Sequence, residues 1–459
     1  MNLKTTYPEK IFLLGAGGIG MSALGHYFLQ RGVKVAGYDR TPSETTAMLQ
    51  KSGAMVMFRD DIRLIPDEFT SDTAMVIYTP AVPSELQLIN FFRNNGYTLY
   101  KRAQVLGMIA KGYSCFAIAG THGKTTTTSA VTHILRQCGN NCTAFIGGIS
   151  KNLQSNFAGG SSNIMVAEAD EYDRSFHQLF PRYSVVTSVE PDHLDIYGDY
   201  NAVKESFRKF ASQTQENGCL LVNEKYAGIL SGTHPHMFTY GGVQSDYYAE
   251  NIRTSEQGIA YDFVFRGKKV YHVTVPVYGL HNAENTVAAG AIAHLSGMKE
   301  EDICQALSTF TGVKRRFDVI FSAAGKMLVD DYAHHPDEIN ALARTLRSHF
   351  PGKKTAALFQ PHLFTRTRDF ADGFASALSL FDIVMLLDIY PARELPIEGI
   401  TSQMLLGKIN AKEKYLVNKE DANKIVSGNE FDILVTIGAG DIDTMIPALK
   451  NQMQMKYES

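Results

Sequence analysis

The sequence has no tryptophan, only five cysteines in 459 residues, and a formal net charge of only −3 at pH 7. So few thiols are typical of a chain that folds in a reducing compartment, and all five are predicted to be packing residues. The near-neutral charge gives no basic surface for nucleic acid or for an anionic membrane. No apolar run reaches the roughly 18 residues that cross a bilayer, and the first residues contain no apolar signal core. These absences predict a cytoplasmic protein that binds neither nucleic acid nor membrane.

The length and the apolar content of the sequence indicate a globular protein of several domains. Hydrophobic residues make up 44% of the chain and charged residues 20%, which is typical of a globular protein. Since one hydrophobic core does not grow to 459 residues, the chain is predicted to form about three domains.

The clearest chemical signal is a glycine turn, A-G-T-H-G-K-T-T-T-T, at residues 119–128. It lies between a predicted strand, 115–118, and a predicted helix, 129–135. Backbone N–H groups in such a turn and the start of the helix attract phosphate groups. Lys124 is placed to reach the β- and γ-phosphates of a nucleotide, and Thr125 to bind Mg²⁺. The alternative, a plain turn before an ordinary helix, does not explain why lysine and hydroxyl follow in this order.

A second glycine loop, G-A-G-G-I-G, occupies residues 15–20. It follows a predicted strand, 11–14, and Asp39 ends the next predicted strand, where it can reach a ribose hydroxyl. This fingerprint is compatible with a dinucleotide oxidoreductase and with other nucleotide-binding proteins. The turn after strand 75–78, which begins at Thr79, is either a ligand-binding strand end or a plain proline turn.

Acidic residues and a histidine follow two further predicted strands. Strand 163–167 ends in E-A-D-E, and Glu168 is the expected Mg²⁺ ligand beside a phosphate loop. Strand 185–189 is followed by E-P-D-H-L-D, which contains His193. A lone histidine is usually structural, but one among three carboxylates favours a metal site.

The second half of the chain begins with a β-rich stretch, 219–278, and then a helix that opens with G-L-H-N-A-E-N. The amides at the start of that helix can pair with a base edge or can cap the helix. Four strands then end in polar residues, which predicts a parallel doubly wound sheet with its active edge at the strand C-termini. These four strands are 327–330, 354–359, 382–387 and 433–437.

Together these stretches resemble the ATP-dependent Mur ligases of peptidoglycan assembly, and within that family the branch that adds L-alanine to UDP-N-acetylmuramate. The matching stretches are G-A-G-G-I-G-M-S (15–22), A-G-T-H-G-K-T-T-T (119–127), A-E-A-D-E (167–171), E-P-D-H-L-D (190–195), G-x-H-N-x-x-N (279–285), G-V-K-R-R-F (312–317), D-D-Y-A-H-H-P (330–336), F-Q-P-H-x-F-T-R-T (359–367) and G-A-G-D-I (438–442). An oxidoreductase leaves the phosphate loop and the acid–histidine pair unexplained. A regulatory nucleotide-binding module leaves the histidine-rich strand ends unexplained.

The resemblance implies an α/β protein of three domains. These are a Rossmann-like UDP-sugar domain at 1–107, a central P-loop ATPase domain with an added β-rich part at 108–313, and a Rossmann-like amino-acid domain at 314–459. The implied cofactors are ATP and Mg²⁺, and the implied substrates are UDP-N-acetylmuramate and L-alanine. The nearest alternative is the murein tripeptide ligase of cell-wall recycling. Monomer and homodimer both remain open.

The resemblance also implies a role for individual residues. The expected ATP-binding residues are Gly120, Thr121, His122, Gly123, Lys124, Thr125, Thr126, His281, Asn282, Asn285, Arg316 and Asp331. The expected UDP-sugar-binding residues are Gly15, Gly17, Gly18, Ile19, Asp39, Thr79, Pro80, Ala81 and His122. The expected metal ligands are Thr125, Glu168 and His193, with one ion on Thr125 and Glu168 and a second between Glu168 and His193. The expected catalytic residues are Lys124, His193, His334, His362 and Arg366.

Two points about the amino-acid site stay open. A histidine of near-neutral pKa suits removal of the amine proton, and both His334 and His362 are candidates. Many relatives have an arginine directly after the position of His362, where this chain has Leu363. Arg366 is therefore expected to carry more of the interaction with the carboxylate of the amino acid.

Overall fold

The computed structural model describes residues 8–69, 74–267, 269–392 and 394–458, and its first region is a five-stranded sheet. The strands are β1 Lys10–Leu14, β2 Lys34–Tyr38, β3 Met55–Met57, β4 Ala74–Tyr78 and β5 Leu99–Lys101, and the helices are α1 Ile19–Leu29, α2 Glu44–Lys51, α3 Gln87–Asn94 and α4 Arg102–Ala110. All neighbouring strands are parallel, in the order β3-β2-β1-β4-β5. The chain reverses its direction of progress between β1 and β4, which is where doubly wound sheets bind ligands. The glycine loop follows β1 and Thr79 follows β4, so both lie at this switch point.

The second region is a ten-stranded sheet in the order β15-β14-β13-β12-β11-β10-β6-β9-β7-β8. Its strands are β6 Ser114–Ala119, β7 Thr143–Ser150, β8 Ser155–Ala158, β9 Ile164–Glu168, β10 Tyr183–Val186, β11 Cys219–Asn223, β12 Met237–Gly241, β13 Tyr247–Ser255, β14 Gly258–Phe265 and β15 Lys269–Val275. Its helices are α5 Lys124–Gln137, α6 Leu194–Tyr197, α7 Tyr200–Ser212, α8 Ala227–Leu230, α9 Leu280–Leu295 and α10 Glu300–Leu307. β6 pairs in parallel with β10 and β9, so the phosphate loop emerges between the ends of these two strands.

Helix α5 begins at Lys124, five residues earlier than the sequence predicted. The sequence did not predict the first turn of the helix, because the threonines at 125–128 are β-branched and have low helix propensity. Residues Thr126 to Ser129 are nonetheless buried against the sheet. Tertiary packing therefore outweighs the local preference of the threonines.

The third region is a six-stranded sheet in the order β16-β17-β21-β18-β19-β20. Its strands are β16 Asp318–Ala323, β17 Lys326–Asp331, β18 Thr355–Phe359, β19 Ile383–Leu386, β20 Glu413–Leu416 and β21 Ile433–Ile437, and its helices are α11 Pro336–His349, α12 Phe364–Asp369, α13 Ala371–Leu378, α14 Ser402–Lys408, α15 Ala422–Gly428 and α16 Ile446–Tyr457. The four predicted strands, β17, β18, β19 and β21, are parallel to their neighbours among the four. The sheet as a whole is mixed, because β16 runs antiparallel to β17. A two-residue turn with positive φ at Ala324 and Gly325 makes that hairpin.

The chain forms two compact units. The first holds the described residues up to 252 together with 261–275 and 281–311; the second holds 253–260, 276–280 and the described residues from 312. The predicted boundaries near residues 107 and 313 remain predictions. Within the part of the chain that the structure describes, no helix combines the length and the apolar character needed to cross a membrane.

His349 joins the separate segments of the second unit. The main-chain N–H of Gly279 donates to its Nε2 at 3.0 Å, and its Nδ1 lies 2.8 Å from the carbonyl oxygen of Ser255. Tyr278, beside Gly279, stacks on Phe317 with ring centroids 4.7 Å apart. Because Nε2 accepts, Nδ1 carries the proton and the imidazole is neutral. Burial accordingly lowers the pKa of His349.

Candidate active site

The phosphate loop needs glycine at two positions. Gly120 and Gly123 have φ of 140° and 80°, a region that favours glycine. A Cβ on Gly120 would lie 1.9 Å from the hydroxyl oxygen of Thr187. Ser188 fixes the other side of the loop, because its Oγ accepts from the N–H of His122 at 2.8 Å. The loop is therefore held against the chain that follows β10.

Lys124 lies at the first position of α5 with its ammonium group among oxygen atoms. Nζ donates to the carbonyl of Gly120 at 2.6 Å and to Oε1 of Glu171 at 2.8 Å. Burial acts to lower the pKa of Lys124, but the carboxylates of Glu171 and Glu168 more than offset burial, and the pKa is raised. The residue is therefore a fixed positive charge at neutral pH.

Glu168, at the end of β9, meets the hydroxyl of the next residue in the loop. Thr125 Oγ1 donates to Oε1 of Glu168 at 3.1 Å, and the N–H of Gly147 donates to Oε2 at 2.8 Å. Burial raises the pKa of Glu168, and the charge of Lys124 opposes the shift. A carboxylate beside a hydroxyl oxygen supplies the hard ligands that Mg²⁺ prefers. The pair therefore fits the predicted first magnesium position.

A second group of possible ligands surrounds His193. One ligand atom each from Glu171, Asp192 and His193 lie within 4.8 Å of one another. Nε2 of His193 is 4.0 Å from Oε1 of Glu171 and 3.7 Å from Oδ2 of Asp192. His193 has a left-handed backbone, φ 52°, which is strained for a residue with a side chain. From sequence we paired His193 with Glu168, whereas the structure groups it with Glu171 and Asp192.

The start of α9 packs against the phosphate loop. Asn282 and Asn285 are buried and joined by a 3.0 Å hydrogen bond, whereas His281 is exposed. A Cβ on Gly123 would lie 2.4 Å from Oδ1 of Asn285, which is also within 3.4 Å of the hydroxyl of Thr127. Asn285 therefore supports the loop directly. Contact between these amides and a base stays a prediction.

The remaining residues of the phosphate loop differ in exposure. Thr121 and Thr126 are buried, and Thr121 Oγ1 is 2.8 Å from the hydroxyl oxygen of Ser188. The exposed ring of His122 lies beside Glu190, with Nε2 and Oε2 3.3 Å apart. His122 is thus available to a ligand at the surface of the loop.

The N-terminal glycine loop is fastened by Asp39. Oδ2 of Asp39 accepts from the N–H of Gly17 at 2.7 Å, so this carboxylate shapes the loop itself. Contact between Asp39 and a ribose stays a prediction. Gly15 has φ of 89°, and a Cβ there would lie 2.7 Å from a methyl carbon of Thr79. Pro80 and Ala81 are exposed in the turn after Thr79.

A cavity of about 360 Å³ extends from the N-terminal glycine loop to the end of β9. Gly18, Ile19 and Thr79 line it from the switch point of the first sheet. Glu168 and Asp170 line it from the end of β9. One ligand could therefore lie along the glycine loop and present a reactive group beside Glu168, the predicted magnesium ligand.

In the second unit, Asp331 at the end of β17 holds two main-chain N–H groups. Its carboxylate accepts from the N–H groups of Phe317 at 2.8 Å and Ala333 at 2.9 Å. Burial raises the pKa of Asp331, and the nearby charge of Arg316 opposes the shift. Arg316 is exposed, and its guanidinium carbon is 5.5 Å from the ring centre of Tyr332.

His334, His362 and Arg366 come together at one edge of this sheet. The two imidazole centres are 6.4 Å apart, and Nη1 of Arg366 is 3.5 Å from Nδ1 of His362. Nδ1 of His334 is 3.0 Å from the carbonyl oxygen of Tyr332, which leaves Nε2 as the acceptor of the neutral ring. Burial lowers the pKa of His334, although Glu338 opposes the shift. Both features suit a general base.

Leu363 has φ of 69°, so the chain is strained between His362 and α12. Its N–H donates to the carbonyl of Tyr390 at 2.9 Å, and its own carbonyl accepts from the hydroxyl of Thr367 at 2.7 Å. These two bonds fix the turn that sets Arg366 beside His362.

Comparisons with known proteins show the family of the chain. Three family descriptions match consecutive parts of the chain: "Mur ligase family, catalytic domain" at 10–114, "Mur ligase middle domain" at 118–293, and "Mur ligase, glutamate ligase domain" at 315–440. A UDP-N-acetylmuramate–L-alanine ligase from Parabacteroides distasonis is 44% identical over 96% of each chain. The chain belongs to the Mur ligase family. One from Cytophaga hutchinsonii is 42% identical over 100% of this chain and 99% of its own.

Solved Mur ligases share the fold. The crystal structure of a UDP-N-acetylmuramate–alanine ligase from Thermotoga maritima superposes with a TM-score of 0.85 at 28% identity, and covers 97% of this chain and 99% of its own. A murein peptide ligase from Psychrobacter arcticus has a TM-score of 0.72 at 22% identity, and covers 97% of this chain and 98% of its own. The predicted three-region α/β architecture of a Mur ligase is thereby confirmed.

Several contacts of this Mur ligase site were missed from sequence. Glu171 and Asp192 belong to the two acidic stretches identified from the sequence. The sequence does not show which of these acids faces Lys124 or His193. Gly147 lies in a strand that the sequence did not predict. Ser188 was taken as the interior of a strand, although its hydroxyl holds the phosphate loop.

Proposed function

We infer that the protein joins L-alanine to the lactyl carboxylate of UDP-N-acetylmuramate, with ATP converted to ADP and phosphate, and so forms UDP-N-acetylmuramoyl-L-alanine for peptidoglycan synthesis. The observation that carries this proposal is the cavity that extends from the glycine loop to Glu168, whose carboxylate accepts a hydrogen bond from Thr125 of the phosphate loop. Curated relatives with this activity in their name, 42–44% identical over nearly the whole chain, support it.

The reaction needs activation because a carboxylate is negatively charged and its oxygen is a poor leaving group. ATP supplies the phosphoryl group that makes the carboxylate an acyl phosphate, and Mg²⁺ offsets the charge on the phosphate oxygens. Lys124 contributes a fixed positive charge beside them. Thr125 and Glu168 would hold one magnesium ion, and Glu171, Asp192 and His193 would hold a second.

The incoming amine must lose a proton before it attacks. His334 is neutral near pH 7 because burial lowers its pKa, so its Nε2 can accept that proton. His362 is the other candidate, since it lies beside Arg366, which binds the carboxylate of the amino acid. In the first unit, His281, Asn282 and Asn285 are further proposed contacts to ATP. Arg316 and Asp331, in the second unit, stay predicted ATP-binding residues. Cytoplasmic location and a monomeric or homodimeric state stay predictions from sequence.

Phosphate release from ATP tests the proposal. The enzyme is given UDP-N-acetylmuramate with L-alanine, with the murein tripeptide, or with NADPH and no amine. Release that requires both the sugar nucleotide and L-alanine is the expected result. Faster release with the tripeptide would favour the recycling ligase, whose solved relative shares the fold. Oxidation of NADPH would instead favour an oxidoreductase.

A further inference from the structure

The cavity between the glycine loop and the end of β9 has a cationic side chain that the site described above does not use. Glu168 and Asp170 bring two carboxylates to its wall. Among the described residues that line this cavity, Arg102 is the one cationic side chain. A sugar nucleotide carries negative charge on its diphosphate, so it meets repulsion from the wall unless a cation is placed to offset it.

Arg102 is fixed in position from two sides. It is the first residue of α4, and its Nη2 donates to Oδ2 of Asp170 at 3.2 Å. On the other side, a Cβ on Gly20 would lie 2.9 Å from Nη1, so the guanidinium occupies the space that a side chain at this glycine would need. The side chain is only 20% exposed. A guanidinium has five N–H donors and can hold Asp170 and a phosphate oxygen together.

The neighbouring Lys101 forms an ion pair outside the cavity and provides a comparison with Arg102. Its Nζ is 2.7 Å from Oδ2 of Asp173, and its side chain is 44% exposed. Lys101 is not among the residues that line the cavity. Two adjacent cations on one helix start thus make two ion pairs with the same acidic segment, and only Arg102 also faces the cavity.

We propose that Arg102 binds the diphosphate of the sugar nucleotide. The diphosphate is chosen over the lactyl carboxylate because Arg102 contacts Gly20, in the same turn as Gly18 and Ile19, which face the proposed UDP site. A charge-assisted, geometrically fixed hydrogen bond of this kind supplies affinity and orientation together. This inference rests on the proposed function, because it assumes that a UDP sugar occupies the cavity.

The test is calorimetric titration of four variants with UDP and with UDP-N-acetylmuramate. Arg102→Gln is expected to weaken both ligands by roughly 10- to 100-fold, which corresponds to about 1.4–2.8 kcal/mol. Arg102→Lys keeps a cation and should lose less. Lys101→Gln, the matched control, should bind both ligands within about twofold of the unaltered protein. Asp170→Asn breaks the ion pair but keeps Arg102, so UDP should bind at least as tightly.

Each contrary result has a separate meaning. Unchanged UDP affinity in Arg102→Gln overturns the inference, and so does an equal loss in Asp170→Asn, which would make the ion pair the cause. A loss confined to UDP-N-acetylmuramate overturns the assignment to the diphosphate. Failure of the unaltered protein to bind UDP-N-acetylmuramate would instead count against the proposed function. Thermal melts on all variants verify that each is folded.

Discussion

At the scale of single residues, the site is a set of side chains whose charge is fixed by neighbours. Lys124 is the clearest case, because Glu171 and Glu168 keep it protonated while Gly120 aims its ammonium group along the loop. In the proposed site Lys124 serves the phosphates of ATP, and it lies outside the glycine loop at residues 15–20. Phosphoryl transfer and sugar binding should therefore be separable by mutation.

Lys124→Ala is expected to lower turnover by at least about 100-fold, since it removes a preorganised charge from the transition state. Affinity for UDP-N-acetylmuramate should stay within about twofold, because the proposed sugar site is intact. Steady-state kinetics and calorimetry measure the two quantities, with Lys209→Ala, an exposed residue on α7, as the control. Loss of sugar affinity as large as the loss of rate would contradict separate sites.

Arg366→Ala is expected to raise KM for L-alanine by roughly 10- to 100-fold, because a charge-assisted hydrogen bond contributes about 1.5–3 kcal/mol. KM for ATP and for the sugar nucleotide should change little. Arg368, an exposed arginine on the same helix that pairs with Asp369, provides the matched control. If Arg366 only braces α12, its loss would lower the melting temperature and leave KM for alanine unchanged.

At the scale of elements, β7 positions Glu168, the proposed magnesium ligand, without supplying a ligand itself. Gly147 lets the strand backbone approach Glu168, since a Cβ there would lie 2.3 Å from Oε1. Gly147→Ala should push the carboxylate away from Thr125 and raise the Mg²⁺ concentration for half-maximal activity several-fold, roughly 3- to 30-fold at about 0.7–2 kcal/mol. Magnesium titration of the rate measures this. Gly228→Ala, where a Cβ meets nothing within 4 Å, should leave the curve in place.

Elements were predictable where local pattern and tertiary packing agree. The apolar runs at β1, β6 and β9 are continuous, so burial and sequence point to the same strand. β7 contains two adjacent glycines in T-A-F-I-G-G-I-S and was missed. β16 was not predicted, because this strand is stabilised by antiparallel pairing with β17. Backbone conformation and side-chain contacts in the site were the least predictable. The sequence predicts neither the positive φ of His193 nor its proximity to Glu171 and Asp192.

At the scale of the whole molecule, buried histidines set the response to acid. The histidines whose pKa is lowered, chiefly by burial, are His26, His133, His177, His294, His334 and His349. Near pH 6.5 the folded chain binds fewer protons at these positions than the unfolded chain does. Their stabilisation is complete above pH 6.5 and is lost as the pH falls below it. Asp330 opposes this trend, because burial raises its pKa to about 6.

The melting temperature should therefore fall between pH 7.5 and pH 5.5, with each histidine contributing at most about 1.4 kcal/mol per pH unit. His349→Gln should melt earlier at pH 7.5 and show a shallower fall, because it removes one of these groups. Differential scanning calorimetry at both pH values measures the change. His236→Gln, at an exposed position, is the control. An unchanged slope in His349→Gln would rule out His349 as a contributor.

The bonds of His349 also have a consequence for synthesis of the chain. Its two backbone partners precede it by 94 and 70 residues, at Ser255 and Gly279. At a translation rate of about 5–20 residues per second, these partners leave the ribosome roughly 4–20 s before the imidazole that joins them. Through that interval the tip of the β13–β14 hairpin and the turn before α9 lack their native contact. A ribosome that pauses within α11 would prolong the interval, so codon choice along Pro336–His349 bears on the yield of folded enzyme.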